Sequence, residues 1–432
     1  MAARMNLPAK NAEPGKNQNL WNRSFAALGP GLITGAADDD PSGISTYSVA
    51  GAAYGYGTLW IALLTFPLMA AVQLMCARLG MVTGRGLAAA VRIYYPRWVL
   101  WGACAILVVA NVINIGADLG GMAEATQLIT EIPPLVWIPV YAFLIIGLLI
   151  WISYKLIAKI FKWLTLVLFA YVLASFYAHV DWRHALAVTF VPHLEWSRGF
   201  LAVLVAILGT TISPYLFFWQ AAEEVEEERA KGRTLAQSKG ATAGELRIAR
   251  TDTVVGMFFS NLIMYFIILT TAATLHAHGQ THISTARQAA EALRPLAGDG
   301  AYLLFTLGLI GTGMLGVPVL VGSCAYAVAE GAAWRGSMAD KPKSARKFYG
   351  VMAVAMALGL ALNFAGLNAV RMLFWSAVIN GLLAPPLILL VILLTSSKKI
   401  MGKRVNSRLL TYLGWATFGV MTAAAAGMLM TS

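Results

Sequence analysis

Long apolar runs separated by short polar stretches set the pattern of this chain. Eleven can be drawn, at roughly 26–54, 57–77, 98–128, 134–153, 159–178, 199–224, 252–275, 300–330, 347–367, 369–394 and 409–430. Most are near the ~20 residues that a helix needs to cross ~30 Å of hydrocarbon. Helices are expected because unpaired backbone groups are costly in lipid. A β-barrel would need segments of ~10 residues with strict alternation. The pattern therefore predicts an all-α polytopic membrane protein with about eleven transmembrane helices.

Two of these segments are interrupted at matching places. Segment 1 carries GAADDDPSG over Gly35–Gly43, and segment 6 carries GTTISPY over Gly209–Tyr215. Pro41 and Pro214 each lack an amide donor and clash with the preceding turn. Gly43 and Gly209 ease nonhelical backbone nearby. Unwound backbone is tolerated at membrane depth only where protein or a watery cavity surrounds it. Segments 1 and 6 are also five apart, the signature expected of two five-helix inverted repeats that each open on a broken helix. The repeats then cover 24–178 and 199–394, preceded by a polar tail over 1–23 and followed by an additional helix over 409–430. The plainer alternative is a pair of proline-kinked helices.

Composition agrees with the membrane reading. The 432 residues are 59% hydrophobic and 12% charged, where a soluble domain carries ~25% charged residues. Net charge is +12, but Lys and Arg fall in short clusters between apolar runs rather than on one stripe. That distribution argues against a nucleic-acid partner. With the N-terminus in the cytoplasm, the loops 78–97, 154–162, 225–251, 331–347 and 395–408 become cytoplasmic and hold most of the positive residues. This bias follows the positive-inside rule. It favours an odd number of spans, puts the C-terminus outside, and suits a bacterial inner membrane. No signal-peptide pattern opens the chain. Trp60, Trp98 and Trp137, near span ends, read as interface anchors. Cys76, Cys104 and Cys324 match no zinc or redox spacing and read as small buried hydrophobes. The six histidines lie in or beside outer loops. Among them His276, His278 and His282 form either a weak external metal or proton site or a solvated surface.

The acids in segment 1 carry the functional argument. An ionised carboxylate in the bilayer costs ~3 kcal/mol on insertion scales. Asp40 must neutralise, hydrate or meet a cation, and a divalent ion would satisfy it. Asp39 is then a second ligand, a proton acceptor or a vestibule charge, and Asp38 an accessory charge. In segment 3, Asn111, Asn114 and Asp118 are spaced three and four apart and share a helix face. They form either part of a transport route or a packed polar network. Gln220, Glu223 and Glu227 also follow helical spacing, so Glu223 and Glu224 belong either to a cation-attracting inner mouth or to a solvated helix end. Asn380 is a weaker polar candidate in segment 10. Gly116 with Gly120, and Gly308, Gly311, Gly313 and Gly316, fit close helix contacts. No P-loop, dinucleotide fingerprint, nucleophile elbow or zinc-hydrolase motif is present, which argues against an ATP-driven pump and against an enzyme. No bound cofactor or obligatory protein partner is expected; the partners are the lipid bilayer and the transported ion.

The stretch GPGLITGAADDDPSGISTYSVAGAAYGYG resembles the first helix of the natural-resistance-associated macrophage protein (Nramp) metal-ion transporters. LGTTISPYLFFWQAAEE and GLIGTGMLGVPVLVGSCAYAVAEG extend the resemblance over about residues 24–394. It implies divalent metal uptake coupled to protons and the inverted-repeat fold of amino-acid/sodium symporters, with helices 1 and 6 unwound at the midplane. The family's Asp-Pro-Gly-Asn corresponds to Asp40-Pro41-Ser42-Gly43, so the amide ligand is lost. Its Met-Pro-His corresponds to Ser213-Pro214-Tyr215, so the thioether and the histidine are lost too. The ligands left by the resemblance are Asp40, Ser213, the carbonyls near Thr210 and Thr211, and Asp39 through water. That hard, oxygen-rich set suits magnesium or manganese, and Gly43 and Ser213 are expected to make room for a hydrated ion. It resembles the divergent Nramp-related magnesium transporters, which also lack the methionine. Asp118 resembles the family's proton-pathway aspartate, but Gly121 and Tyr215 stand where the family has an acid and a histidine. Both uniport and proton-coupled transport remain open. So does a same-fold carrier of a non-metal or organic solute.

Overall fold

The computed structural model describes residues 29–152, 156, 163, 166–230, 232 and 241–431. The tail 1–23, the first residues of segment 1, much of the first half of segment 5, Lys155, Lys159 and Lys162, and the middle of the 225–251 loop lie outside the described residues.

The described chain is helical almost throughout. Segment 1 is two short helices, α1 (Pro30–Asp38) and α2 (Pro41–Tyr54). There follow α3 (Trp60–Thr83), α4 (Leu87–Tyr94), α5 (Arg97–Thr130), α6 (Pro134–Trp151), α7 (Phe169–Tyr177) and α8 (Trp182–Phe190). Segment 6 is again two helices, α9 (Arg198–Thr211) and α10 (Pro214–Ala230). The longer helices of the remainder are α11 (Ala243–Thr274), α12 (Ala301–Gly331), α13 (Arg346–Leu362), α14 (Ala369–Ser396) and α15 (Arg408–Met430). Among the described residues, nine helical stretches are long and apolar enough to span a membrane. Segment 6, Arg198–Ala230, is in that set despite its break, whereas segment 1, with three aspartates at its break, is not; part of segment 5 is not described.

Two helices run further than the apolar pattern predicts. α11 begins at Ala243 rather than near 252, because Thr242 and Glu245 form a reciprocal capping box. α10 continues to Ala230, since a run of glutamates is good helix former wherever its charges find partners. The short helices α4 and α8 sit inside expected loops.

The broken helices occupy the middle of the bundle. α1 and α2 pack on α11, α9 packs on α14, and α5 lies against α12, α13 and α14. Close approach at both breaks depends on missing side chains. A Cβ on Gly35 would stand 2.3 Å from the carbonyl oxygen of Gly256, and one on Gly209 would stand 2.1 Å from that of Ala377. Gly116 likewise meets Gly359, and Gly313 meets Met122, as the small-residue pattern suggested. The outside of the bundle carries large exposed apolar side chains, among them Trp98, Phe143, Trp151 and Tyr412. Trp60 departs from the anchor reading: it is 8% exposed and its indole N–H donates to the His193 carbonyl at 3.2 Å. The three cysteines are buried and unbridged.

Candidate functional site

The first break forms where Asp40 leaves helical geometry, at φ −65° and ψ 171°. The extended conformation is what a residue before proline prefers. Pro41 then starts α2 at a position where no amide donor is needed. Asp40 is the N-cap: one carboxylate oxygen accepts from the Gly43 N–H at 2.8 Å and from the Ser42 hydroxyl at 2.7 Å. A cap of this kind contributes ~1 kcal/mol and also aims the carboxylate inward, where it is 1% exposed.

The other Asp40 oxygen faces two different helices. The Asn114 side-chain amide on α5 donates to it at 3.0 Å. The Tyr215 hydroxyl, one residue into α10, lies 3.3 Å away and also donates to the Ala37 carbonyl at 3.1 Å. Tyr215 thus ties the start of α10 to the open end of α1, and the two breaks meet through a phenol and a carboxylate. Gly316 on α12 allows the approach, since a Cβ there would stand 3.0 Å from the Asp40 Cβ. Ser323, about two turns further along α12, donates to the Tyr215 carbonyl at 2.9 Å.

Several buried polar atoms nearby have no hydrogen-bond partner. They include Oδ1 of Asn114, Oδ1 of Asn111 and both oxygens of Asp118. Asn111 donates its amide to the Leu320 carbonyl at 2.9 Å, which fixes the shared α5 face against α12. Both side-chain atoms of Asn380 on α14 are also buried and unpartnered. Orphaned oxygens in a low-dielectric interior are costly unless something fills them.

The remaining expected ligands fall elsewhere. Ser213 turns its hydroxyl back on its own helix and donates to the carbonyls of Gly209 at 2.9 Å and Thr210 at 2.6 Å. Asp39 and Asp38 both face α11, where the Ser260 hydroxyl lies 3.3 Å from Asp39 and 2.6 Å from Asp38. Gly43 does not open the space expected of it. A Cβ there would lie 3.2 Å from the Thr210 hydroxyl oxygen, 3.3 Å from the Asp38 carbonyl and 3.4 Å from the Tyr47 ring. Thr210 and Tyr47 have already closed around it. Among the described residues no three His, Cys, Asp or Glu side chains converge as a ready-made metal centre. Asp40 stands with neutral amide and hydroxyl partners.

Below the break, the acids of α10 are not a solvated helix end. Glu223, Glu224, Glu226 and Glu228 are each at most 7% exposed. Gln220 accepts from Thr34 of α1 at 2.5 Å and donates to Glu224 at 3.0 Å. Tyr326 of α12 bonds to Glu226, which also accepts from the Met338 N–H at 3.1 Å, and reaches Glu223 at 3.4 Å. At the outer end, His276 contacts the Ala52 carbonyl at 2.8 Å and His278 the Thr274 carbonyl, while His282 is exposed. They do not gather around a common point.

Sequence reasoning placed Asn114 on the right helix face but did not connect it to Asp40, 74 positions away. It missed Ser260, Tyr326 and Met338. A lone serine in an apolar helix and a tyrosine near a helix end carry no spacing signal that could have singled them out.

The family model described as natural resistance-associated macrophage protein-like matches residues 31–431. A divalent metal cation transporter MntH of Mesorhizobium japonicum is 29% identical over 308 residues, covering 69% of this chain and 66% of that protein. The MntH of Listeria welshimeri is 26% identical over 412 residues, covering 93% of this chain and 88% of that protein. Among solved structures, the Eremococcus coleocola manganese transporter in complex with an aromatic bis-isothiourea substituted compound superposes with TM-score 0.73 at 19% identity, over 96% of this chain and 88% of that one. The nucleobase-cation-symport-1 transporter Mhp1 with bromovinylhydantoin bound superposes with TM-score 0.60 at 14% identity, over 94% and 91%. The fold is that of these broken-helix transporters. Matched from the first break to the last helix, this chain belongs to the natural resistance-associated macrophage protein (Nramp)-like family.

Proposed function

We propose that the chain carries a hard divalent cation, magnesium or manganese, into the cytoplasm, with Asp40 as the charged ligand. The observation that supports this reading most directly is the Asp40 carboxylate held in the break between the Asn114 amide and the Tyr215 phenol. The atoms around the break that could ligate a metal are oxygens: the Asp40 carboxylate, the Asn114 Oδ1 and the Tyr215 phenol. Such ligands favour magnesium, calcium or manganese over softer metals. Asn114 supplies an amide beside Asp40 from α5, in place of the one missing at Gly43. Its unpartnered Oδ1 and the unpartnered carboxylate of Asp118 are further oxygens for an ion that keeps part of its water. The relatives named as divalent metal cation transporters and the manganese transporter of the same fold support the substrate class.

Alternating access would open one end of the bundle at a time. On the inner side this requires separating Tyr326 from Glu226 and Thr34 from Gln220. Asp39 and Ser213, turned away from Asp40 in this arrangement, enter the ligand set only if the breaks rearrange. A second reading, a carrier of a non-metal or organic solute, draws support from the Ser213 hydroxyl being committed to its own helix and from the closed space at Gly43.

Uptake of magnesium, manganese and calcium into proteoliposomes, with internal pH recorded, tests the proposal. Magnesium or manganese influx that Asp40→Asn abolishes is the expected result. Protons moving with the ion would make Asp118 or Asp39 carriers, whereas an unchanged internal pH would mean uniport. Folded protein that moves none of the three ions would turn the assignment to the organic-solute reading.

A further inference from the structure

At the end of the bundle that the positive-inside bias assigns to the cytoplasm lies a cavity of about 470 Å³. It is separate from the Asp40 break and is walled by α4, the last turns of α10 and α12, and the loop after α12. Four arginines line it: Arg85, Arg92, Arg229 and Arg335. So do three acids, Glu226, Glu330 and Asp340.

The acids and the arginines differ in how they are used. Glu226 accepts from Tyr326 and from the Met338 N–H. Glu330 accepts from the Ala89 N–H at 3.1 Å and fills the space beside Gly86, satisfying the start of α4. Asp340 accepts from the Ser337 hydroxyl at 3.2 Å. The carboxylates therefore hold protein donors. None of the four guanidinium groups has a hydrogen-bond or ion-pair partner among the described residues. Arg92 and Arg229 feel the charge of Glu330 without pairing to it. Arg92, Arg229 and Arg335 are exposed at the rim. Lys347 adds a further cation at the mouth, 4.9 Å above the Trp334 ring.

Converging, unpaired guanidinium forks match the oxygens of a phosphate, which they can grip in bidentate fashion. We propose that this cavity binds a phosphate-bearing anion. The anion ties α4 to α10 and to the loop after α12, and so holds the inner end of the bundle in the arrangement that pairs Tyr326 with Glu226. The phosphate is either a free anion from the cytoplasm or the headgroup of an anionic lipid.

The test uses the full chain. In one arm, protein in a neutral detergent is titrated with inorganic phosphate at constant ionic strength, with chloride as the reference, and thermal unfolding is followed. In the other, unfolding is compared in phosphatidylcholine nanodiscs with and without phosphatidylglycerol. The expected result is a saturable stabilisation in at least one arm. It weakens about tenfold in apparent affinity on Arg335→Gln, and more on adding Arg92→Gln, while Lys398→Gln, outside the cavity, leaves it unchanged. A response to phosphate identifies the free anion; a response confined to phosphatidylglycerol identifies the headgroup. Wild-type protein that responds in neither arm overturns the proposal whatever the variants do. Equal weakening by Lys398→Gln also overturns it, because the effect is then diffuse charge and not a site.

Discussion

The break before Pro41 and the break before Pro214 satisfy their loose backbone groups in different ways. At the first, a carboxylate caps α2 with one oxygen and presents the other to Asn114 and Tyr215. At the second, a serine hydroxyl folds back onto the carbonyls that α9 leaves open. The first break is thus both a helix start and a charged centre. The second is a helix end closed by its own cap, and its outward contribution comes from the next residue but one, Tyr215. A helix start exposes N–H groups and suits an acid; a helix end exposes carbonyls and suits a donor. The pseudo-symmetric repeats therefore need not contribute alike: one supplies charge, the other geometry.

The sharpest way to break this contrast is Asp40→Asn. Asparagine caps helices as well as aspartate does, so unfolding should move by less than ~1 kcal/mol. Ion uptake should fall on the order of a hundredfold or more, because the carboxylate that faces Asn114 and Tyr215 has lost its charge. Uptake that survives, measured in proteoliposomes alongside a melting curve, would mean that the charge is not the function of the first break.

The second break should respond to shape instead. Gly209→Ala places a Cβ 2.1 Å from the Ala377 carbonyl and 2.3 Å from the Gly381 N–H. Both obstacles are backbone, so α9 and α14 must separate, at a cost of ~1–3 kcal/mol. Gly43→Ala meets the Thr210 side chain at 3.2 Å and should cost less, since that contact can give. Thermal unfolding in detergent ranks the two. Equal shifts would remove the distinction between a break fixed by helix crossing and one fixed by a cap.

Tyr215→Phe tests the link between the breaks. It deletes the donor to Ala37 and Asp40 while keeping the buried ring. The expected loss is ~1 kcal/mol in stability, with uptake reduced several-fold and the ion preference unchanged. A larger change in preference than in rate would make the phenol oxygen a ligand.

Much of the frame was legible in the sequence because it follows from local rules. Asp40-Pro41 and Ser213-Pro214 announced the breaks, since proline and the residue before it restrict the backbone wherever they occur. The shared face of Asn111, Asn114 and Asp118 followed from helical spacing alone. What the spacing could not say is what that face touches. The contact from Asn114 to Asp40 spans 74 positions and that from Tyr215 spans 175. Neither has a periodic signature. The acids of α10 read equally as an inner mouth or a solvated end because the partners of Glu226, Tyr326 and the Met338 amide, arrive from a distant helix and its following loop. Gly43 misled for a related reason: a missing side chain creates room only if its neighbours stay away, and Thr210 and Tyr47 do not.

Ser213→Ala is the smallest and most discriminating change. Its hydroxyl serves two carbonyls of α9. Removing it costs ~1 kcal/mol at most, since carbonyls at a helix end tolerate a lost donor better than a buried amide tolerates a lost acceptor. If the second break is only a capped end, uptake should stay within about twofold of wild type, because a loss of under ~0.5 kcal/mol in the transport step is that small. If Ser213 swings onto the ion in another state of the cycle, Ser213→Ala should cut uptake about as far as a lost neutral ligand does, roughly tenfold. Ser213→Met would then shift preference from magnesium towards manganese, because a thioether favours the softer ion. Competition between the two ions in Ser213→Ala and Ser213→Met proteoliposomes separates these cases. An unchanged preference in both variants leaves the ion to the first break alone.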